Sequence, residues 1–238
     1  MGFSYSPKVV TDGLVLYLDA ANPLSYANGS TKWNDLSRGR NNGTLVNGPL
    51  YESAKQGYIA FDGTNQQVDF ASNDANLSVG TSDFTFEMFS RRNTTNTNMG
   101  VWVGHPYGTN SVAGAVWWFG GGGGLSLYVY PGDGTSNAKM QVAGADDTEW
   151  HHWVATCKRG SSTIGDQDVY KDGVIQSRNN NSLIQSGWDL TSTNTPGIGD
   201  WGFGDFNGDL AIFRIYRKHF TSQEVLQNYN ATKSRFGL

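Results

Sequence analysis

The feature that most restricts the fold of this chain is a series of short apolar segments in which apolar and polar residues alternate. Gly, Asn, Asp or Pro bounds nearly every segment, which is typical of short antiparallel strands joined by turns. The segments cover residues 14–18, 58–61, 68–70, 84–89, 101–103, 115–119, 125–130, 153–156, 168–176 and 210–216. This pattern predicts an all-β fold in which two antiparallel sheets form a β-sandwich.

Two of these segments carry more specific information. Asp172-Gly173 lies between two apolar stretches and supplies the two residues with positive φ that a type I′ hairpin turn requires. The segment 210–216 is apolar at successive positions, so both of its faces are expected to be buried. We therefore predict a hairpin at Asp172-Gly173 and a central strand over residues 210–216.

Only the segment 221–229 has the pattern of a helix. Thr221 followed by Glu224 predicts a capping box, and Phe220 and Val225 stand at the positions of a hydrophobic staple. The apolar residues form one narrow stripe. We expect one short C-terminal helix that lies on the sandwich.

The composition fits a single domain. Of 238 residues 31 are glycine, and these mostly separate the apolar segments, while 8 Trp, 11 Tyr and 12 Phe supply enough volume for a core. No linker, change of composition or internal repeat divides the chain. We predict one domain over residues 1–238, with its core over about 9–232 and short tails at both ends.

Charge and cysteine content exclude several classes of protein. The net charge is −4 and no basic stripe is present, which argues against nucleic acid as a partner. No apolar run reaches the ~18 residues that would cross a bilayer, so we expect a soluble chain. The single Cys157 cannot form an internal disulfide and is expected to be a buried apolar residue. The N-terminus lacks a secretory signal, so a complete chain is not expected to be exported by that route.

The carboxylates do not form the pattern of a glycosidase. Retaining glycosidases need two carboxyl groups across the sugar bond, and β-sandwich glucanases usually carry them on one strand with acidic residues two positions apart. None of the four glutamates has an acidic residue two positions later; they are Glu52, Glu87, Glu149 and Glu224. We predict no catalytic residues and no enzymatic activity. The alternative is a glycoside hydrolase or lyase with an unfamiliar pair, such as Asp200 with Asp205 or Asp146 with Asp147.

Histidine does not supply a catalytic or metal centre in this sequence. His151 and His152 are neighbours on a predicted strand, so their side chains are expected to point to opposite faces of the sheet. Such an arrangement makes it difficult for the two histidines to bind the same metal ion.

Tryptophan offers a different kind of site. Trp117 and Trp118 are adjacent on a strand, so one is expected in the core and the other on an outer face, where it could bind a sugar. The candidate carbohydrate-binding residues are Trp117, Trp118, Trp102 and Trp201. The alternative is that each sheet buries one of the adjacent pair.

Five consecutive glycines, residues 120–124, follow the Trp117-Trp118 strand. A phosphate-binding loop requires a helix directly after the glycines, whereas a strand follows here. The run is longer than a tight turn needs, so we interpret it as a flexible connection or a place of close approach, and as the first place to expect contact with a partner.

Calcium is a candidate ligand of the loop before the last strand. Asp205, Asn207 and Asp209 surround Gly208 and supply the oxygen ligands that calcium prefers. The alternative is that these residues only form a turn.

Several motifs, in order, resemble laminin-G-like domains of the concanavalin A-like lectin/glucanase superfamily. They are Asp12-Gly13-Leu14-Val15-Leu16-Tyr17-Leu18-Asp19-Ala20, Trp33-Asn34-Asp35-Leu36-Ser37, Asn42-Gly43-Thr44-Leu45, Phe61-Asp62-Gly63-Thr64, Trp150-His151-His152-Trp153-Val154, Tyr170-Lys171-Asp172-Gly173 and the segment 206–216. The resemblance spans about residues 9–232 and implies a two-sheet jelly roll. Many members carry an acidic pair in the last strand where this chain has Leu210-Ala211-Ile212, so the resemblance does not imply a calcium ion there.

Both termini and one turn resemble a narrower set of these domains, from structural proteins of marine tailed bacteriophages. The segments are residues 6–14, the Asn22-Pro23 turn and residues 228–238. This resemblance implies a non-enzymatic virion protein, assembled in the host cytoplasm and displayed on the particle as a capsid decoration or short appendage. Expected partners are other virion proteins and cell-surface glycans, and a multimeric arrangement follows from virion symmetry. The alternative function is a carbohydrate-binding module that recognises polysaccharide through exposed aromatic residues.

Overall fold

A computed structural model describes residues 7–70, 77–95, 98–104, 110–179, 182–192, 194–199 and 204–238. The strands are β1 (Leu14–Asp19), β2 (Lys32–Trp33), β3 (Gly43–Val46), β4 (Leu50–Glu52), β5 (Tyr58–Asp62), β6 (Gln67–Asp69), β7 (Phe84–Arg92), β8 (Met99–Val103), β9 (Ala113–Phe119), β10 (Leu125–Pro131), β11 (Ala138–Val142), β12 (His151–Cys157), β13 (Gln167–Lys171), β14 (Val174–Ile175), β15 (Gly197–Ile198) and β16 (Asn207–Tyr216). The helix α1 spans Ser222–Thr232, and 3₁₀ turns span Ala54–Gln56 and Lys233–Arg235.

The strands form two eight-stranded antiparallel sheets. One sheet has the order β14-β13-β12-β7-β16-β5-β4, with β1 also paired to β16, and the other has the order β11-β10-β9-β8-β15-β6-β3-β2. We call the first the covered sheet, because the chain termini pack on its outer face, and the second the open sheet. The sandwich and its short C-terminal helix confirm the predicted fold class.

Aromatic residues from both sheets fill the space between them. Trp102 of the open sheet stacks on Phe213 of the covered sheet, with ring centroids 5.3 Å apart. Trp117 meets Phe86 edge to face at 6.1 Å. Cys157 is fully buried in the same core, and burial raises the pKa of its thiol, as expected of an unreactive apolar residue.

The local predictions from turn and capping residues are confirmed. Asp172 and Gly173 have φ values of 52° and 80° and close the hairpin between β13 and β14. Thr221 Oγ1 accepts a hydrogen bond from the backbone N–H of Glu224, and the Glu224 carboxylate accepts one from the N–H of Thr221. Phe220 and Val225 lie in one apolar cluster. The helix extends three residues beyond the predicted segment, to Thr232.

The two chain termini cover the outer face of one sheet. Residues 7–10, α1, the turn Lys233–Arg235 and Phe236 form this terminal cover. Val10 and Val225 pack on Val154 and Tyr216 of the sheet, and Phe236 packs in a second cluster with Phe89. The N–H of Val10 donates to Asn228 Oδ1 at 2.8 Å, which joins the N-terminal segment to α1. The burial of both faces of β16 thus comes from the core on one side and the terminal cover on the other.

A fully buried polar network lies beneath the terminal cover. Glu87 Oε1 accepts hydrogen bonds from Arg214 Nη1 at 2.8 Å and lies 2.9 Å from His152 Nε2. Its other oxygen accepts one from Asn228 Nδ2 at 2.8 Å. The guanidinium of Arg214 also lies 4.3 Å from the centre of the Tyr17 ring. One carboxylate therefore joins β7, β12, β16 and α1.

This network predicts a loss of stability in acid. Burial alone would raise the pKa of Glu87, but Arg214 and His152 outweigh burial and lower the pKa from 4.5 to about 2. A carboxylate with a lowered folded-state pKa stabilises the fold above pH 4.5, and this stabilisation is lost as the pH falls towards 2. We expect the free energy of unfolding to decrease by roughly 3 kcal/mol across this range because of Glu87.

Urea titrations at a series of pH values would measure this decrease. Glu87→Gln should be less stable at pH 7 and should show a flatter dependence on pH between about 5 and 2. Glu149→Gln, which changes an exposed carboxylate, is the matched control. Equal slopes for wild type and Glu87→Gln would contradict the prediction.

Candidate glycan-binding face

The alternation along β9, β10 and β11 places one aromatic set in the core and another on the outer face of the open sheet. Trp117, Leu127 and Met140 are buried between the sheets. Their neighbours in sequence, Trp118, Tyr128 and Lys139, therefore point outwards, because successive side chains of a strand alternate between faces. All three outward side chains are partly exposed.

Strand register brings these outward residues together. Tyr128 lies opposite Val116 on β9 and opposite Lys139 on β11. Trp118 lies opposite Ser126, which is opposite Gln141. We call the surface formed by Trp118, Tyr128, Tyr130, Lys139 and Gln141 the aromatic face.

The three rings of the aromatic face form a continuous strip. The centroids of Trp118 and Tyr128 lie 5.9 Å apart, and those of Tyr128 and Tyr130 lie 6.2 Å apart with planes that differ by 13°. Lys139 Nζ lies 5.4 Å from the centre of the Tyr128 ring. Partial burial raises the pKa of Tyr130, so its hydroxyl stays protonated and can donate a hydrogen bond. Such a strip offers apolar ring faces with polar groups at their edges.

The structure separates the four predicted carbohydrate-binding tryptophans. Trp102 and Trp117 are 2% and 0% exposed, so no sugar can stack on them, and they are corrected to core residues. Trp201 lies outside the described residues. Trp118 alone, of the tryptophans predicted and described, stands on a partly exposed sheet surface. The prediction missed Tyr128 and Tyr130, although their alternation with Leu127 and Val129 already placed them on one face.

The glycine run closes the hairpin between β9 and β10. The N–H of Gly120 donates to the carbonyl of Gly124 at 2.7 Å, and the N–H of Gly123 donates to that of Gly120 at 3.1 Å. Gly123 has a φ of 77°, so the three-residue loop combines a turn with a left-handed residue. A Cβ on Gly123 would lie 2.7 Å from Asp146 Cβ. The expectation that the run is too long for a tight turn was wrong. The close approach is between Gly123 and Asp146 of the same chain.

The predicted calcium ligands have other partners. The Asp209 carboxylate receives a hydrogen bond from Arg91 Nε at 2.5 Å, and the Asp205 carboxylate receives one from the N–H of Asn65 at 2.6 Å. The N–H of Asn207 donates to the sulfur of Met99 at 3.4 Å. Because a guanidinium already neutralises Asp209, this arrangement does not favour a cation. Within the described residues, no group of three or more His, Cys, Asp or Glu side chains has a geometry for a metal ion.

The two adjacent histidines face opposite sides, as predicted. His152 is buried in the Glu87 network, whereas His151 lies at the edge of the sandwich. Nδ1 of His151 lies 2.7 Å from Asp172 Oδ2, and its Nε2 lies 3.0 Å from Asp147 Oδ1. Carboxylates thus lie within hydrogen-bond distance of both ring nitrogens, so neither nitrogen faces an open site.

The candidate carboxylate pairs give little support to a hydrolase. Asp147 also accepts a hydrogen bond from Lys171 Nζ at 3.1 Å, so its carboxylate contacts both Lys171 and His151. Asp200 lies outside the described residues, and Glu87 is sealed beneath the terminal cover.

None of the helices in the described ranges is long and apolar enough to cross a membrane.

Solved structures with a similar fold include toxin binding domains. The chain aligns with the binding domain of Paraclostridial Mosquitocidal Protein 1 at a TM-score of 0.69 and 16% identity, covering 92% of this chain and 52% of that one. It aligns with the botulinum neurotoxin DC binding domain in complex with rat synaptotagmin II at a TM-score of 0.64 and 12% identity, covering 94% and 52%. A botulinum neurotoxin type C structure, whose cell entry depends on two ganglioside molecules, aligns at 0.63 and 13%, covering 92% and 51%. The chain spans about half the length of these structures, and the identities show the fold alone.

A comparison with curated proteins gives no match. A laminin-G family model, described as the concanavalin A-like lectin/glucanases superfamily, matches residues 62–226. This range holds three of the seven motifs on which the predicted resemblance rests, at residues 150–154, 170–173 and 206–216. The chain therefore belongs to the laminin-G-like domains of the concanavalin A-like lectin/glucanases superfamily.

Proposed function

We propose that this domain is a non-catalytic binding module that holds a glycan on its aromatic face. The observation that carries the proposal is the contrast between the outer faces of the two sheets. The terminal cover buries one, whereas the other presents a strip of three partly exposed aromatic rings. Tyr and Trp combine a large apolar surface with a polar group, which suits a ligand that has both apolar faces and hydroxyls.

The toxin binding domains support a binding role without assigning a ligand. The neurotoxin DC binding domain is bound to rat synaptotagmin II, and the cell entry of neurotoxin type C depends on interaction with two ganglioside molecules. Those statements concern proteins about twice as long as this chain. The proposal for this chain therefore rests on its own surface.

Trp118→Ala tests the proposal. If Trp118 is an anchor of the site, its loss should weaken glycan binding by about 2 kcal/mol, which is roughly a 30-fold increase in Kd. A glycan array identifies a bound sugar, and titration calorimetry then measures Kd for wild type and variant. Tyr128→Ala should also weaken binding, since its ring continues the strip.

The control is Leu24→Ala, which removes an exposed apolar side chain outside the aromatic face. It should leave Kd unchanged, and circular dichroism should show that all three variants are folded. Wild-type binding that survives both aromatic substitutions would contradict the proposal, as would the lack of binding to any glycan on the array. Release of reducing ends from a bound polysaccharide would instead favour the alternative, a hydrolase.

We propose further that the domain is displayed on a virus particle, as a capsid decoration or a short appendage. The segments whose sequence resembles phage structural proteins include both termini, and these pack together: the N–H of Val10 donates to Asn228 Oδ1 at 2.8 Å. They lie on the covered sheet, opposite the aromatic face. Attachment to other virion proteins through the terminal cover would leave the aromatic face free. Mass spectrometry of purified particles should detect the chain, and its absence from them would overturn this role.

A further inference from the structure

Lys139 places one positive charge in the middle of the aromatic face. The outward positions of β9, β10 and β11 are otherwise uncharged; they include Val116, Trp118, Ser126, Tyr128, Tyr130 and Gln141. The protein as a whole has a net charge of −4. The charge of the aromatic face is therefore opposite in sign to that of the molecule.

The ammonium group of Lys139 lacks an anionic partner within the described residues. Lys158, Lys171 and Lys218 each form an ion pair with a carboxylate, whereas no carboxylate of the described ranges lies within 4.0 Å of Lys139 Nζ. Its contact is with the Tyr128 ring. The backbone N–H of Lys139 also donates to Ser182 Oγ at 3.1 Å, which fixes this point of β11. Among the described residues, the cation thus lies over the aromatic strip without an anionic partner.

We propose that the aromatic face selects acidic glycans, whose carboxylate or sulfate groups bind Lys139 while a sugar ring lies on Trp118 or Tyr128. This inference rests on the proposed function and adds the chemical class of the ligand. An anionic group beside Lys139 would form a charge-assisted hydrogen bond, which is stronger than a bond between neutral groups. A neutral sugar would contact the same rings without that bond.

The test compares polymers that differ only in charge. Binding of the purified chain to immobilised polygalacturonate is measured against methyl-esterified polygalacturonate, and binding to dextran sulfate against dextran. We expect wild type to bind at least one acidic polymer about tenfold more tightly than its neutral partner. Lys139→Met should remove that difference without abolishing the weaker binding to the neutral form, whereas Lys139→Arg should preserve it.

Lys32→Met is the matched control, because Lys32 is exposed on β2 at the opposite edge of the same sheet. It should leave the preference intact, which separates a local effect from net charge. If wild type binds neutral and acidic forms equally, and Trp118→Ala weakens both, the glycan-binding function stands and the acidic preference is overturned. An acidic preference that persists in Lys139→Met also overturns it. Failure to bind any of the four polymers counts against both proposals.

Discussion

Arg214→Met is expected to lower the free energy of unfolding by about 3–5 kcal/mol. Arg214 is fully buried, and its guanidinium lies 2.8 Å from the carboxylate of Glu87. Removing the cation leaves Glu87 buried with His152, Asn228 and Tyr216 as its polar partners, so its charge loses the compensation that the guanidinium supplies. Urea denaturation at pH 7, followed by tryptophan fluorescence, measures the change.

Two controls identify the cause of this effect. Lys158→Met removes a cation that is 57% exposed and pairs with Asp166 at the surface, and it should cost less than about 1 kcal/mol. The double variant Glu87→Leu/Arg214→Met removes both buried charges and should recover a large part of the stability. A loss below about 1 kcal/mol for Arg214→Met would show that the network does not stabilise the fold.

Trp117→Ala is expected to reduce stability and Trp118→Ala to reduce glycan binding, although the two residues are adjacent. Trp117 is fully buried against Phe86 and Phe213, so its truncation leaves a cavity and should cost about 3–5 kcal/mol of stability. Trp118 is partly exposed on the outer face, and its truncation should cost about 1 kcal/mol or less. Chemical denaturation of both variants measures the contrast.

Binding measurements complete this comparison. Trp117→Phe retains a buried ring and keeps the experiment informative if Trp117→Ala does not fold; it should lose stability while binding glycan as wild type does. Trp118→Ala should lose glycan binding while remaining folded. Equal losses of stability for Trp117→Ala and Trp118→Ala would contradict the assignment of the two residues to opposite faces.

Local sequence signals were sufficient wherever the structure depends on neighbouring residues. The hairpin at Asp172-Gly173 and the capping box at Thr221 depend on backbone conformations that these residue types favour within a few positions. The strand segments were recognisable for the same reason, since alternation records which face of a strand is buried. The fold class followed from these signals.

The alternation of inward and outward side chains breaks at Trp102 because β8 contains a bulge there. The pairing of β8 with β9 shifts between Gly100 and Trp102, so two neighbouring residues, Val101 and Trp102, both enter the core. A bulge adds one unpaired residue and reverses the alternation beyond it. Nothing in the local sequence distinguishes such a residue from one that points outwards.

The buried network was equally hidden from sequence inspection. Glu87 is separated by 65 residues from His152, by 127 from Arg214 and by 141 from Asn228. Each residue taken alone resembles an ordinary surface residue. Their convergence depends on strand order in the covered sheet and on the position of α1, which no short motif records.

The sequence by itself determined an all-β sandwich with one capped helix, because strand alternation, turns and caps act over a few residues. It also determined that Trp117 and Trp118 lie on opposite faces. Only the tertiary structure decided which of them is exposed, since that depends on the sheet-to-sheet packing that buries Trp117. It likewise decided that the terminal cover occupies one sheet and leaves Trp118, Tyr128 and Lys139 together on the other, because long-range packing and strand register set those neighbours.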